Sequence, residues 1–152
     1  MKTIAKNKIA TFDYDIVETL DAGIVLWGFE VKSIKTQWCN ISSSVIRLNW
    51  KSFDIINMDV PLYKKTSIRQ IWSYNPKRQR QLLLKKKEIT KLFWKTTKTW
   101  LSIFPLEVFE TKNKIKVKIA VWKLRKKYQK KQVLKERDMD KQAKKQIKDM
   151  WL

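Results

Sequence analysis

The sequence predicts a mainly β fold, a small closed antiparallel barrel with two or three short helices and a basic C-terminal tail. Three observations support this prediction: one strongly alternating segment, several short segments rich in β-branched and aromatic residues, and an abrupt change of composition at residue 123. A length of 152 residues suits one modest core rather than two large ones.

The clearest periodic pattern is "KIKVKIAV", Lys114 to Val121. Its apolar side chains alternate with lysines, which is the period-two pattern of a half-buried strand. One face therefore belongs to the core, and the other carries three lysines. The lysine face either keeps the strand soluble or follows the phosphates of a nucleic acid.

Four further segments are predicted strands because each is short, rich in β-branched or aromatic residues, and bounded by polar or turn residues. They are Ile24 to Ile34, Ser44 to Leu48, Phe53 to Met58 and Trp100 to Phe109. Pro105 indicates an edge position or a bulge in the last of them. Strands of this number and spacing predict a barrel of the oligonucleotide-binding type.

Helices are predicted in two places. Glu18 to Gly23 reads as a short helical turn ended by the glycine. A second helix is predicted from Pro76 onward, with proline in its first turn and its buried side formed by the leucines of residues 82–84 and by apolar residues up to Phe93. Residues 63–75 show neither the helical nor the strand periodicity of apolar residues and are predicted to form a loop.

The predicted RNA-binding domain covers residues 1–122, and residues 123–152 form the tail. The tail holds twelve Lys and Arg against four Asp and Glu. Its apolar residues are too sparse to form a stripe facing a core. We therefore expect a tail that is disordered when free and helical when it meets RNA. A polar helix packed on the domain is the alternative.

The charge of the chain points to a polyanionic partner. Thirty-five Lys and Arg against fourteen Asp and Glu leave a formal net charge of +21. The longest uncharged run, Ala22 to Phe29, is far shorter than the roughly 20 residues that span a bilayer, and the N-terminus lacks the apolar core of a signal peptide. Nucleic acid is therefore favoured over a membrane, and a cytoplasmic location is expected.

The absence of several residue types argues against most enzyme chemistry. The chain has no histidine and one cysteine, Cys39, so a disulfide, a cysteine cage and the commonest general base are excluded. Two glycines exclude a phosphate-binding loop. We expect a binding protein without metal or cofactor. An enzyme that acts on RNA through Asp13, Asp15 and Glu30 is a minor alternative.

The shortage of glycine also has a structural consequence. Turn positions with positive φ usually take glycine, so here they are expected to take Asn, Asp, Ser or Lys. Among the eight tryptophans, Trp72 in the predicted loop and Trp151 at the end of the tail are expected to be exposed. Each either stacks on RNA bases or is exposed incidentally.

Six blocks of sequence carry a family resemblance. They are "NKIATFDYDI", "DAGIVLWGFEVKSIK", "NPKRQRQLLLKKKEITKLF", "PLEVF", "KIKVKIAVWKLRKKYQKK" and "LKERD". In order and spacing these blocks resemble small protein B, the tmRNA-binding protein family of bacterial trans-translation, over nearly the whole chain.

The resemblance implies a function and its partners. A monomer would bind the tRNA-like domain of tmRNA and deliver it to stalled ribosomes, for ribosome rescue and peptide tagging. The tail would occupy the empty mRNA channel of the small subunit, near the decoding region. A generic basic ribosomal or RNA-chaperone protein, which binds RNA through charge and aromatic contacts, is the alternative.

The resemblance also implies functional residues. RNA contacts are expected at Asn7, Asp21, Lys32, Arg78, Arg80, Leu83, Arg125 and Lys126, and tail function on the ribosome at Lys130, Lys131, Lys135 and Arg137. The arginines suit planar, bidentate phosphate contact, whereas a core position is the alternative for Leu83.

The chain departs from the family pattern at several positions. Leu124 and Gln129 stand where the family has Gly and Asp, and Trp94 and Trp100 stand at positions that are usually glycine. These departures bear on turn geometry and on the tail.

Overall fold

Seven strands and three helices make up the described part of the chain. The computed structural model describes residues 1–8, 14–49, 51–66, 69, 72–98, 101–124 and 127–150. The strands are β1 (Lys2–Lys6), β2 (Tyr14–Ile24), β3 (Val45–Asn49), β4 (Ser52–Ile56), β5 (Arg80–Leu83), β6 (Ser102–Thr111) and β7 (Lys114–Leu124). The helices are α1 (Gly28–Thr36), α2 (Lys86–Lys98) and α3 (Lys127–Met150). The mainly β prediction is confirmed.

The strands form one antiparallel sheet in the spatial order β1-β6-β7-β2-β5-β4-β3. Strand β7 lies between β6 and β2 and pairs with each along most of its length. The register of β6 shifts between Pro105 and Glu107. The bulge predicted at Pro105 is therefore confirmed, in a strand that has a neighbour on both sides.

The main core forms on one face of this sheet, and a smaller buried cluster around Phe104 and Ala120 is separate from it. In β7 the alternating residues Ile115, Val117, Ile119 and Val121 are buried, while the lysines between them keep partial or full exposure. The predicted amphipathic strand is confirmed. Apolar side chains from α1, β4 and the segment after β4 complete the main core.

The segment that follows β2 is a helix where the sequence predicted a strand. Of the predicted strand Ile24 to Ile34, only the first residue belongs to β2, and α1 begins at Gly28. The N–H of Trp27 donates to Oε2 of Glu30 at 3.0 Å, which satisfies an amide at the helix start. The predicted strand is wrong because aromatic and β-branched residues indicate burial as much as strand geometry. The helical turn predicted for residues 18–23 is also wrong, since these residues lie in β2.

The leucine triplet lies in and beside a strand rather than in the predicted helix. Strand β5 buries Leu82 and leaves Leu83 55% exposed, which is the alternation of a strand. Helix α2 begins only at Lys86, where the N–H of Lys85 donates to Oε2 of Glu88 at 2.9 Å. The predicted helix exists, but its predicted start at Pro76 is wrong.

Helix α2 is anchored by one buried side chain and is joined to β2 by two ion pairs. Leu92 is fully buried in the main core. Glu18 of β2 pairs with Lys91, whose Nζ lies 2.5 Å from Oε1, and with Lys95 through Oε2. These pairs are partly exposed to solvent, so they orient the helix and add little stability.

Helix α3 extends the chain beyond the sheet. Its 24 residues span about 36 Å at 1.5 Å per residue, and its described side chains are exposed. Strand β7 runs through Leu124, past the predicted domain boundary at residue 122. Among the described residues, no helix is both long enough and apolar enough to cross a bilayer.

Tight turns use asparagine and lysine in the left-handed region. Lys112 and Asn113 connect β6 to β7 with φ values of 48° and 61°, and Asn57 follows β4 with a φ of 60°. Two successive positive φ angles are typical of a type I′ hairpin turn. The prediction that Asn and Lys replace glycine at such positions is confirmed.

Asn113→Gly is expected to stabilise the protein by about 0.5–1 kcal/mol, because glycine takes a positive φ without steric cost. The carbonyl of residue 113, which accepts from Lys35 Nζ at 3.3 Å, is kept by the substitution. Urea unfolding measures the change. Asn113→Ala is the matched control and is expected to destabilise by about 1 kcal/mol. Equal midpoints for the two variants would contradict the strained-turn explanation.

Candidate nucleic-acid interface

A buried carboxylate on α1 organises the region between α1 and β5. Glu30 is 0% exposed, and both of its oxygens accept from arginines. Arg78 donates to Oε1 from Nε at 2.7 Å and to Oε2 from Nη2 at 2.6 Å. Arg80 donates to Oε1 from Nη2 at 2.9 Å and from Nε at 3.2 Å. One buried negative charge thus lies between two positive charges, and the group is net cationic.

Arg80 occupies a different place from the RNA contact expected for it. Its side chain is 0% exposed. Besides Glu30, it donates to the carbonyl oxygens of Met58, Arg78 and Pro76 at 2.7, 3.0 and 3.0 Å. Arg80 therefore offers no surface to RNA in this structure. It fixes the loop before β5 against α1.

Arg78 lies closer to the surface, against an aromatic cluster. Its guanidinium carbon is 4.2 Å from the centroid of the Trp27 ring. Trp27 also contacts Phe29, with centroids 5.5 Å apart, and Phe29 meets Tyr74 edge-on at 4.9 Å. Trp27 remains 47% exposed. A cation stacked on a partly exposed indole suits contact with a nucleic-acid base.

The charges in this group are fixed near neutral pH. Burial alone would raise the pKa of Glu30, but hydrogen bonds from the two arginines and from the Trp27 N–H hold that pKa below the ordinary glutamate value. Burial, together with the Glu30 charge, raises the pKa of Tyr74 to about 12. The Tyr74 hydroxyl therefore stays protonated and donates to the carbonyl of Val60 at 2.8 Å.

Asn7, another expected RNA contact, is buried at the end of β1 beside β6. It is 5% exposed. Its main-chain N–H donates to Leu106 O at 2.8 Å, and its Nδ2 donates to Pro105 O at 3.3 Å. The side chain thus continues the contact between β1 and β6, and it has little surface for a partner.

Three expected contacts are exposed. Asp21 on β2 lies opposite Lys118 of β7, Leu83 lies on β5, and Lys32 lies on α1. Leu83 pairs with Gly23, where a Cβ would lie 3.1 Å from the Leu83 Cβ, so glycine permits this close approach. The core alternative for Leu83 is wrong. Arg125 and Lys126 lie outside the described residues.

The tail residues expected to act on the ribosome lie on α3. Lys131 and Lys135 are exposed one helical turn apart, which places them on one face. Arg137 is also exposed, and Lys130 lies within the helix. Trp72 is 86% exposed, as expected, whereas Trp151 lies outside the described residues.

Comparisons with known proteins cover nearly the whole chain. A family model described as SmpB protein matches residues 4–149. The chain belongs to the SmpB family. An SsrA-binding protein of Persephonella marina is 41% identical over 148 residues, covering 97% of this chain and 95% of the relative. The SsrA-binding protein of Thermosipho melanesiensis is 38% identical, covering 97% and 99%.

A solved structure agrees with the SmpB assignment. The chain described as "tmRNA-SmpB: a journey to the center of the bacterial ribosome" is 30% identical, has a TM-score of 0.65, and is matched over 82% of this chain and 86% of that chain. The SmpB family match ends at residue 149, within α3. The resemblance seen in the sequence is confirmed, for the sheet and for most of the last helix.

Sequence reasoning missed the network around Glu30. That residue was considered only as one of three catalytic carboxylates, and Tyr74 only as part of a loop. Glu30 supplies only half of a capping box, because the Trp27 indole cannot accept the amide that a Ser, Thr, Asp or Asn would accept, so the sequence contains no clear capping signal for the start of α1. The 48 residues that separate Glu30 from Arg78 leave no local pattern either.

Proposed function

We propose that this protein binds the tRNA-like domain of tmRNA and delivers it to stalled ribosomes in trans-translation. The observation that carries the proposal is 41% identity to an SsrA-binding protein across 97% of the chain. The likeness to the tmRNA-SmpB structure supports the same partner.

The electrostatics of the chain are consistent with this partner. A net charge of +21 and a partly exposed lysine face on β7 attract RNA phosphates. If about six phosphates are neutralised, the logarithm of the binding constant falls with a slope of about −5 against the logarithm of salt concentration. Phosphate neutralisation raises the affinity for every RNA alike, so selectivity for one RNA requires stacking or shape recognition. Arg78 on Trp27 is one surface suited to stacking.

The proposal includes closure of the sheet into a barrel. Residues 45–48 of β3 line the same pocket as Ser102 and Ile103 of β6. Residues from distant positions in the strand order thus lie side by side, as they do when a sheet curves onto itself. Such a barrel would present α1 and the loop before β5 on its outside. We place the protein in the cytoplasm, where stalled ribosomes occur.

The basic segment 123–152 is proposed as the part that contacts the ribosome. Residues 127–150 form α3 in this structure, and we propose that this segment takes the same helical form in the empty mRNA channel. Lys130, Lys131, Lys135 and Arg137 would face ribosomal RNA there. The exposure of the described α3 side chains supports this division, since they leave the helix surface open to a partner.

Competition binding tests the proposed partner. Labelled tRNA-like domain of tmRNA is bound to the protein at about 0.15 M salt, and unlabelled competitors are titrated in. We expect the tRNA-like domain to compete at a concentration at least about tenfold lower than bulk tRNA, a difference of about 1.4 kcal/mol. Equal competition would overturn the proposal and favour the generic basic RNA-binding protein.

A further inference from the structure

An open cleft lies beside the start of α1. Its volume is ≈ 730 Å³, within the range of roughly 300–1,000 Å³ that is usual for small-ligand sites. Three aromatic residues and two lysines line it: Trp27, Phe29, Tyr63, Lys32 and Lys65. Trp27 lies directly before α1, Phe29 and Lys32 lie in α1, and the other two follow β4, so the cleft forms only in the folded chain.

The aromatic rings of the cleft are available for stacking. Trp27 is 47% exposed, and Phe29 and Tyr63 are half-buried. Trp27 is already held by Arg78 at 4.2 Å and by Phe29 at 5.5 Å. Since the ring is ordered before binding, a partner that stacks on it does not bear the cost of ordering it.

The positive charge of the cleft lining favours an anionic ligand. Lys32 and Lys65 are exposed, and no carboxylate is among the described residues that line the cleft. The neighbouring group of Glu30 with two arginines adds one further positive charge. A flat aromatic ligand that carries negative charge fits both properties of the lining.

We propose that this cleft takes one unstacked nucleotide of the bound RNA, with its base against the aromatic rings and its phosphate on Lys32 and Lys65. The inference rests on the proposed RNA-binding function and assigns a position to one nucleotide within it. The energetics suit the role, because stacking on an aromatic side chain contributes about 1–3 kcal/mol per base.

Paired tryptophan variants provide the first test. Trp27→Leu is expected to weaken binding of the tRNA-like domain by about 5- to 150-fold, the equivalent of that stacking energy. Trp38→Leu is the matched control, since Trp38 is 51% exposed and is not among the residues that line the cleft. Its affinity is expected to match wild type, and Trp27→Phe is expected to restore most of the loss.

Tyr63 and the lysines test the cleft without disturbing the Arg78–Trp27 contact. Tyr63→Leu is expected to weaken binding at least fivefold. Lys32→Ala and Lys65→Ala are each expected to reduce the salt slope by about 1. Thermal unfolding of every variant checks that the fold is retained. Ultraviolet cross-linking of the wild-type complex is expected to join one nucleotide to Trp27, Phe29 or Tyr63.

The outcomes separate this inference from the proposed function. If wild type prefers the tRNA-like domain, but Trp27→Leu and Tyr63→Leu bind as wild type and no cross-link falls in the cleft, the nucleotide site is overturned and the function stands. If wild type prefers no RNA, but cleft variants weaken binding of bulk tRNA and a cross-link falls in the cleft, the nucleotide site stands and the tmRNA proposal fails.

Discussion

Glu30→Gln is expected to lower the free energy of unfolding by about 3–5 kcal/mol, because it leaves two arginines without their counter-charge. Arg80 has no exposed surface, so water cannot replace the lost charge without opening the structure. Glutamine keeps the shape of the side chain, and the loss therefore reports charge rather than packing. Urea unfolding at pH 7 measures it.

Glu18→Gln is the matched control for this prediction. Glu18 also pairs with two cations, but its side chain is 24% exposed and that of Lys91 is 54% exposed. Solvent screens these pairs, so a loss below about 1 kcal/mol is expected. Similar losses for both variants would contradict a special role for Glu30. Combining Glu30→Gln with Arg80→Met is expected to cost less than the sum of the two single changes, because the uncompensated charge is then removed.

The pH dependence of stability provides a second readout of the same change. The pKa of Glu30 is lower in the folded state than in the unfolded chain. The contribution of the ionised Glu30 carboxylate to the free energy of unfolding is therefore fully present above the unfolded pKa of about 4.3. It is lost as the pH falls through the pKa of the folded state. Wild type is expected to lose stability on acidification more steeply than Glu30→Gln, whose side chain does not titrate. Parallel curves would contradict this.

Deleting residues 133–152 is expected to abolish peptide tagging on stalled ribosomes while leaving tmRNA binding nearly unchanged. The deleted part holds six Lys and Arg and four Asp and Glu, so it removes only two of the 21 net positive charges. Electrostatic attraction to RNA is therefore largely kept. Tagging in a reconstituted translation system and binding of the tRNA-like domain are measured on the same preparation.

A scrambled tail is the control for the truncation. A chain whose residues 133–152 are reordered keeps length and net charge but changes which residues share a helix face. It is expected to bind tmRNA as wild type does and to fail in tagging. Loss of tmRNA binding on truncation would show that the roles of sheet and tail are wrongly divided.

Some elements were predictable because local pattern and tertiary environment agree. In β7 Ile115, Val117, Ile119 and Val121 are buried and the lysines at 114, 116 and 118 are at least partly exposed, so the alternation in this part of the sequence is the alternation in the structure. Strand β3 shows a similar alternation of exposure, whereas β4 and β6 hold consecutive buried residues and were predictable from their β-branched and aromatic residues. Pro105 was read correctly because proline lacks the N–H that a regular ladder requires.

The remaining features depend on long-range contacts. The run of three leucines allows a strand or a helix, and only the pairing of β5 with β2 and β4 decides it. Arg80 was expected to contact RNA because of the family resemblance, and arginine is in general rarely buried. Its burial depends on a carboxylate 50 residues earlier in the chain, a relation that no local period contains.

The turn between β6 and β7 has a consequence for the gene. Glycine codons begin with two guanines, whereas asparagine and lysine codons begin with two adenines. A gene drifting toward A and T would therefore exchange glycine for the very residues found at positions 112 and 113, at a cost of about 1 kcal/mol each. Against a typical stability of about 5–15 kcal/mol, a few such exchanges are tolerated while the Glu30 group is kept. The hairpin turns would then be the first places where a change in the base composition of the gene alters the protein. A gene rich in G and C would refute this explanation.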